Sequence, residues 1–227
     1  MPAKNVRKEY MKNGYYHLYN RGVEKRKIFL DEQDYSVFLN YLKIYLTQKD
    51  EKRLLEIVSN SKIPWIEKDR ALKLLRLNNF FEEIILLAYC LMPNHFHIIV
   101  KQKDSNSIDK FMNSLCTRYT MYFNKKYDRV GPLYQGTYKA VKINSDDQFL
   151  HLSPYIHKQA IFPQGHALRN QPSSYKDYLG LRRTDWVHPE EILTYFSTSN
   201  SHLSYRAFVK QDEETRLIEK ITLEEAE

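Results

Sequence analysis

Cysteine is nearly absent: Cys90 and Cys116 are a single pair, from which no disulfide framework can be read. Long apolar runs are missing as well. The longest, residues 84–92, falls far short of the roughly 20 residues that cross a bilayer, so no membrane partner is expected. The opening MPAKNVRKEYMKNG holds no apolar stretch of the kind a secretory signal needs, and a cytoplasmic protein is expected. There is no internal repeat and no low-complexity segment.

What the chain does have is a core and an uneven charge. Hydrophobic residues make up 42% and aromatics 14% of its 227 residues, which argues against general disorder. The net charge is +7, but residues 212–227 hold seven acids against Arg216 and Lys220. That tail is therefore −5 and the remaining chain +12. A body this basic, carrying 18 tyrosines, points to a polyanionic partner, with nucleic acid foremost.

Hydrophobic periodicity orders the chain. GYYHLYNRG reads as a strand stopped at Asn20-Arg21-Gly22. In KIFLDEQDYSVFLNYLKIYL, Tyr35, Phe38, Leu39, Leu42 and Leu46 recur at helical spacing. Residues 49–79 are charged and read as an insertion of two short helices broken near Pro64. FEEIILLAYCLMP and HFHIIVKQ read as two strands of a hairpin turning at Met92-Pro93-Asn94. A helix follows, with Ile108, Phe111, Leu115, Tyr119 and Tyr122 on one face and Ser105 or Ser107 as its cap. TYKAVKI alternates as a strand. In DDQFLHLSPYIHKQA, Pro154 predicts a new helix starting near Ser153, with Ser153 capping it. The expected fold is α+β, an antiparallel sheet with helices mainly on one face, over residues 1–165. Residues 166–227 are expected to form a helical C-terminal extension.

The chemistry concentrates in MPNHFHIIV. On a strand, His95 and His97 share one face while Phe96, Ile98 and Val100 share the other. Two imidazoles side by side make half of a divalent metal site. In YIHKQ, Tyr155 and Gln159 fall one helical turn apart on a common face, while His157 points elsewhere. A phenol and an amide oxygen presented together can meet the histidine pair, Gln159 as third ligand and Tyr155 as nucleophile.

These segments resemble the HUH single-tyrosine transposases, in particular the REP-associated tyrosine transposase branch. The resemblance runs through YHLYNRGVEKRKIF, AYCLMPNHFHIIV, LCTRYTMYFNKKYDRVGPLYQGTYKAV and YIHKQA, with a weaker echo in PSSYKDYLGL. It implies a ferredoxin-like (RNA-recognition-like) sheet with the HUH pair on a central strand. The implied activity is metal-dependent cleavage and rejoining of single-stranded or hairpin DNA through a 5′-phosphotyrosine. Carried over by residue, His95 and His97 match the metal ligands, Tyr155 the nucleophile, and Gln159 a polar third ligand. Relatives commonly read YIHxNP where this chain reads YIHKQA, and a proline precedes Tyr155.

Tyrosine, with a pKa near 10, is a weak nucleophile at neutral pH without help. A divalent ion would polarise the scissile phosphate, and a two-histidine site suits Mn²⁺ at least as well as Mg²⁺. Attack by tyrosine rather than water keeps the bond energy for rejoining. His17 lies on the first strand and could approach the site, but it is expected to be a packed strand histidine, and Cys90 a core residue rather than a zinc ligand. Phosphate contacts are expected from Arg21, Lys25, Arg26, Lys27, Arg118, Lys125, Lys126, Arg129 and Lys139. Tyr134 and Tyr138 are candidates for stacking on unpaired bases, with core packing as the other reading. Monomer and homodimer both remain open, as does whether Tyr155 acts within its own chain. The rival functions are a non-catalytic single-strand binder on the same sheet and a phosphodiesterase using water.

Overall fold

Alternation in the first strand sorts its side chains cleanly. In β1 (Tyr15–Arg21), Tyr16 and Leu18 enter one core, while Tyr15, His17 and Tyr19 turn to the other face. The computed structural model describes residues 10–161 and 171–210; the acidic residues 212–227 lie outside the described part. The strands β2 (Ile84–Met92) and β3 (His95–Gln102) form the expected hairpin. With β4 (Lys139–Ile143) they complete a four-stranded antiparallel sheet in the order β2-β3-β1-β4, so β3 and β1 are interior. The α+β class read from the sequence is the class observed.

Between β1 and β2 run α1 (Glu32–Leu46), α2 (Glu51–Ser59) and α3 (Trp65–Arg76), with Pro64 at the N-cap of α3. The proline supplies the break expected between the two short helices, since its ring favours a helix start and forbids an interior. After β3 comes α4 (Ser107–Lys126). Helices α1 and α4 cover one face of the sheet, where Phe38, Leu42, Phe111, Leu115 and Tyr119 pack with Phe96, Ile98 and Val100. Burying each such side chain fully contributes roughly 1.5–3 kcal/mol relative to leaving it in water. These two helices give the ferredoxin-like layer expected.

The other face is covered by α5 (Asp146–Ile161) and by α6 (Tyr175–Tyr178), α7 (Glu190–Leu193) and α8 (Tyr205–Lys210), so helices lie on both faces rather than mainly on one. The same segment runs along the outer edge of β2. Leu91 N donates to Pro172 O at 2.9 Å, Ser174 N to Tyr89 O at 3.0 Å and His188 N to Leu86 O at 2.8 Å.

Two local expectations are corrected. Helix α5 is continuous through Pro154 rather than restarting at Ser153. Phe149, Leu152, Ile156 and Ala160 keep helical spacing across the proline and bury together, so packing outweighs the lost backbone bond. The Ser153 hydroxyl is not a cap; it accepts from the Tyr205 hydroxyl at 3.2 Å. At α4 the N-cap is Asn106, without a side-chain cap bond, and Ser107 is already helical. Ser107 instead donates to Glu83 at 2.8 Å, and Gln102 Oε1 accepts from Ile108 N at 3.3 Å, satisfying a first-turn donor.

Candidate active site

The antiparallel register decides which side chains meet. His97 on β3 lies opposite Tyr19 on β1 and Cys90 on β2; Tyr19 in turn lies opposite Lys139 on β4. One row along, His95 lies opposite Arg21 and Met92. Directly paired residues share a face, so His95, His97, Tyr19, Arg21 and Lys139 all stand on the side covered by α5. Helix α5 crosses this face and brings its two predicted side chains to the histidines. Gln159 Oε1 is 3.2 Å from His95 Nε2, and the Tyr155 ring stands edge-on to His97 with centroids 6.3 Å apart. His95, Tyr155 and Gln159 are half-buried, open enough for a ligand, whereas His97 is fully buried.

Each imidazole is held through Nδ1. His95 Nδ1 is 2.6 Å from Asn94 Oδ1, in the turn that starts β3. His97 Nδ1 is 2.8 Å from His17 Nε2, and the two rings lie edge to edge with planes 15° apart and centroids 5.0 Å apart. Tyr19 lies against both rings, with centroids 4.9 Å from His17 and 5.8 Å from His97. His17 is therefore packed, as expected, and it also approaches the site, bonded to a candidate ligand. Two imidazoles with centroids 5.0 Å apart and an amide oxygen beside one of them make a donor set fit for a divalent ion. Among the described residues no group of three or more His, Cys, Asp or Glu side chains could hold a metal ion, and the further oxygen donor beside the pair is the Gln159 amide.

His157 points away from the site, as its spacing required. It is fully buried, with Nδ1 at 2.6 Å from Tyr205 Oη and Nε2 at 2.8 Å from Ser174 Oγ. Ser174 Oγ also accepts from Tyr89 N at 2.9 Å, so this hydrogen-bonded chain links the middle of α5 to β2. Burial, reinforced by the Arg182 charge, pushes the pKa of His157 down to about 3.

The expected phosphate contacts divide. Lys25, Arg26 and Lys27 are exposed on the loop after β1. Arg21 points along the same rim, bonded to Gln135 Oε1 at 3.3 Å. The loop is tightly anchored: Gly22 N donates to Asn94 O at 2.8 Å, and a Cβ on Gly22 would stand 2.2 Å from Arg26 O. Glu24 and Lys25 follow with φ of 55° and 58°, left-handed backbone that costs roughly 1–2 kcal/mol per residue. Arg129, near enough to Arg26 to feel its charge, has its pKa lowered by desolvation and then by that repulsion. Lys125 is exposed, and Lys139 is exposed at the start of β4.

Others are removed by their surroundings. Arg118 lies over Tyr41, 4.0 Å from the ring centroid, on the opposite face of the sheet from the histidines. Lys126 is engaged with Asp31 and the buried Asp34, at 2.7 and 2.8 Å. Tyr134 and Tyr138 are core residues: Tyr134 packs edge-on to Phe96, and Tyr138 bonds to Tyr10 and Asp109. Neither presents a ring face to a base. Cys90 is fully buried beside His97, in keeping with a core role.

Residues 65–159 match the family model of IS200-like transposases, a span that begins in α3 and ends at Gln159. Among solved structures, the fold is similar to a REP-associated tyrosine transposase bound to a REP hairpin. The TM-score is 0.50 at 12% identity, over 89% of this chain and 98% of that one. A weaker similarity, with a TM-score of 0.28 and 16% identity, is to a Deinococcus radiodurans R1 protein assigned as a transposase. It covers 68% of this chain and 97% of that one. No curated protein matches the sequence.

Proposed function

We propose that the protein, whose residues 65–159 match the family model of IS200-like transposases, cleaves and rejoins single-stranded or hairpin DNA through a tyrosine-linked 5′-phosphate at Tyr155. The observation that carries this reading is the crossing of α5 over β3, which sets Tyr155 beside His97 and Gln159 beside His95. A tyrosine core-packed for stability would not need an amide ligand one turn later aimed at the same pair of imidazoles.

His95, His97 and Gln159 would hold a divalent cation, Mn²⁺ or Mg²⁺. When bound, the ion supplies positive charge for the non-bridging oxygens of the scissile phosphate. The protein does the rest. Tyr155 Oη attacks phosphorus, forming the phosphotyrosine bond as the bond to the 3′ oxygen breaks; the departing oxygen leaves as a 3′-hydroxyl, and the phenolic proton passes to solvent. In the reverse direction a 3′-hydroxyl attacks the phosphotyrosine and Tyr155 is released, so no energy source is consumed. Arg21 and Lys139 flank the pair on the same face, and Lys25, Arg26 and Lys27 continue that positive rim. A phosphate backbone lying along this rim would pass over Tyr155. A tyrosine on a helix needs an exposed backbone, which favours unpaired or foldback DNA.

Tyr155→Phe removes one oxygen and almost no volume. Folding and DNA binding are expected to survive, while nicking and the covalent adduct disappear. The test is a denaturing gel of protein with end-labelled foldback DNA, followed by mass spectrometry of the linked peptide. An adduct that maps to another tyrosine, or that persists undiminished in the variant, refutes the assignment.

A further inference from the structure

The contact between His17 and His97 is ambiguous in a way that has a chemical consequence. Two neutral imidazoles joined Nε2 to Nδ1 at 2.8 Å share one proton in that bond, and either ring can own it. If His17 donates, His97 carries its proton on Nε2, and that nitrogen has no lone pair for a cation. If His97 donates from Nδ1, its Nε2 lone pair is available. His95 faces no such choice. Its Nδ1 meets the Asn94 amide oxygen at 2.6 Å, an atom that only accepts, so Nδ1 holds the proton and Nε2 faces Gln159.

We propose that His17 is the positioning residue for His97: it accepts the Nδ1 proton bond of His97 and so holds both the ring orientation and the tautomer that ligation through Nε2 requires. The inference rests on the metal reading given above. Three features favour it. Both rings are fully buried, so water does not compete for the bond. The two rings lie edge to edge with their planes 15° apart, as an in-plane bond between ring nitrogens requires, and Tyr19 packs against both, which leaves the His97 ring little room to turn. His17 also lies two residues from Tyr19 and four from Arg21 on one face of β1, a rigid interior strand rather than a loop. Acceptors that hold a ligating imidazole by its other nitrogen commonly change metal affinity 10- to 100-fold when removed.

The experiment titrates the full chain with Mn²⁺ alone, without DNA, counting free ion by its electron paramagnetic resonance signal. Four proteins are compared: wild type, His97→Ala, His17→Phe and His17→Gln. Phenylalanine keeps an aromatic ring at this position but cannot accept. Glutamine can place an amide oxygen near the position of Nε2. The expected result is tight binding by wild type, loss in His97→Ala, about 10- to 100-fold weakening in His17→Phe, and substantial recovery in His17→Gln. A purely structural role for His17 would not be rescued by glutamine. If wild type and His97→Ala bind alike, the metal reading itself fails; if wild type depends on His97 but His17→Phe binds as tightly, only the role of His17 fails. Should His17→Phe not fold, nitrogen-15 NMR of the wild-type histidines decides. Protons on Nδ1 of both His17 and His97 support the proposal, and a proton on Nε2 of His97 overturns it.

Discussion

Mild acid should loosen the helix that carries Tyr155, through a residue that takes no part in the chemistry. His157 sits fully buried between the hydroxyls of Tyr205 and Ser174, and its pKa falls from 6.5 to about 3, first through desolvation and then through Arg182. An unfolded chain takes up a proton on this imidazole below about 6.5, whereas the folded chain refuses it until about 3. The unfolded state therefore binds more protons in that window. The stability this group contributes is complete above pH 6.5 and declines as pH falls through the window toward 3. One proton corresponds to about 1.4 kcal/mol per pH unit, so between pH 7.5 and pH 5 the loss is about 2 kcal/mol. Other groups titrate in the same range, and the comparison that isolates His157 is with His157→Gln, which cannot ionise. Urea unfolding of both proteins at pH 7.5 and pH 5 gives the four free energies needed. The advantage of wild type over the variant should shrink by about 2 kcal/mol on going to pH 5. Parallel losses in the two proteins, or an NMR titration of His157 near 6.5, would sink the argument.

Further outcomes can be checked separately. Excess chelator should abolish cleavage while leaving most DNA binding, and added Mn²⁺ or Mg²⁺ should restore it; His95→Ala and His97→Ala should match the chelated protein in gel assays. Arg26→Ala should weaken binding of all sequences alike and lower the slope of log affinity against log salt by about 1, read by fluorescence anisotropy. Asp34 is fully buried and bonded to Lys126, Tyr122, Tyr127 and Leu30 N. Asp34→Ala should therefore cost roughly 3 kcal/mol in urea unfolding, because it strands the partners of a buried charge.

What could be read from the chain tracks how local the information is. The β2–β3 hairpin, the common face of His95 and His97, and the single turn separating Tyr155 from Gln159 follow from periodicity over a few residues, and the structure has each of them. Pro154 misled because its local preference for a helix start yields to a stripe of apolar residues packing on both sides of it. Tyr134 and Tyr138 sit beside glycines in a turn-rich stretch, which suits an exposed ring equally well. Their burial is decided by Phe96 and Asp109, 38 and 29 residues away in sequence. Lys126 looked like an unpaired helix charge until α1 brought Asp31 and Asp34 against it. The bond from His17 to His97 spans 80 residues and depends on which strand pairs with which. Alternation put His17 on a face with Tyr19, but no pattern within the strand names its partner.

The hydrogen bonds that Pro172, Ser174 and His188 make along β2 bear on how the protein can be shortened. A fragment ending at Ile161 would retain every residue of the candidate centre and look, by its motifs, like a sufficient minimal unit. It would also strip the outer strand of its backbone partners and bring Leu87, Ala88 and Cys90, now buried, toward water. Unpaired strand edges with apolar neighbours template further strands. The segment after the motif is thus a covering the sheet cannot shed, and the smallest usable form of this protein extends well beyond its candidate centre.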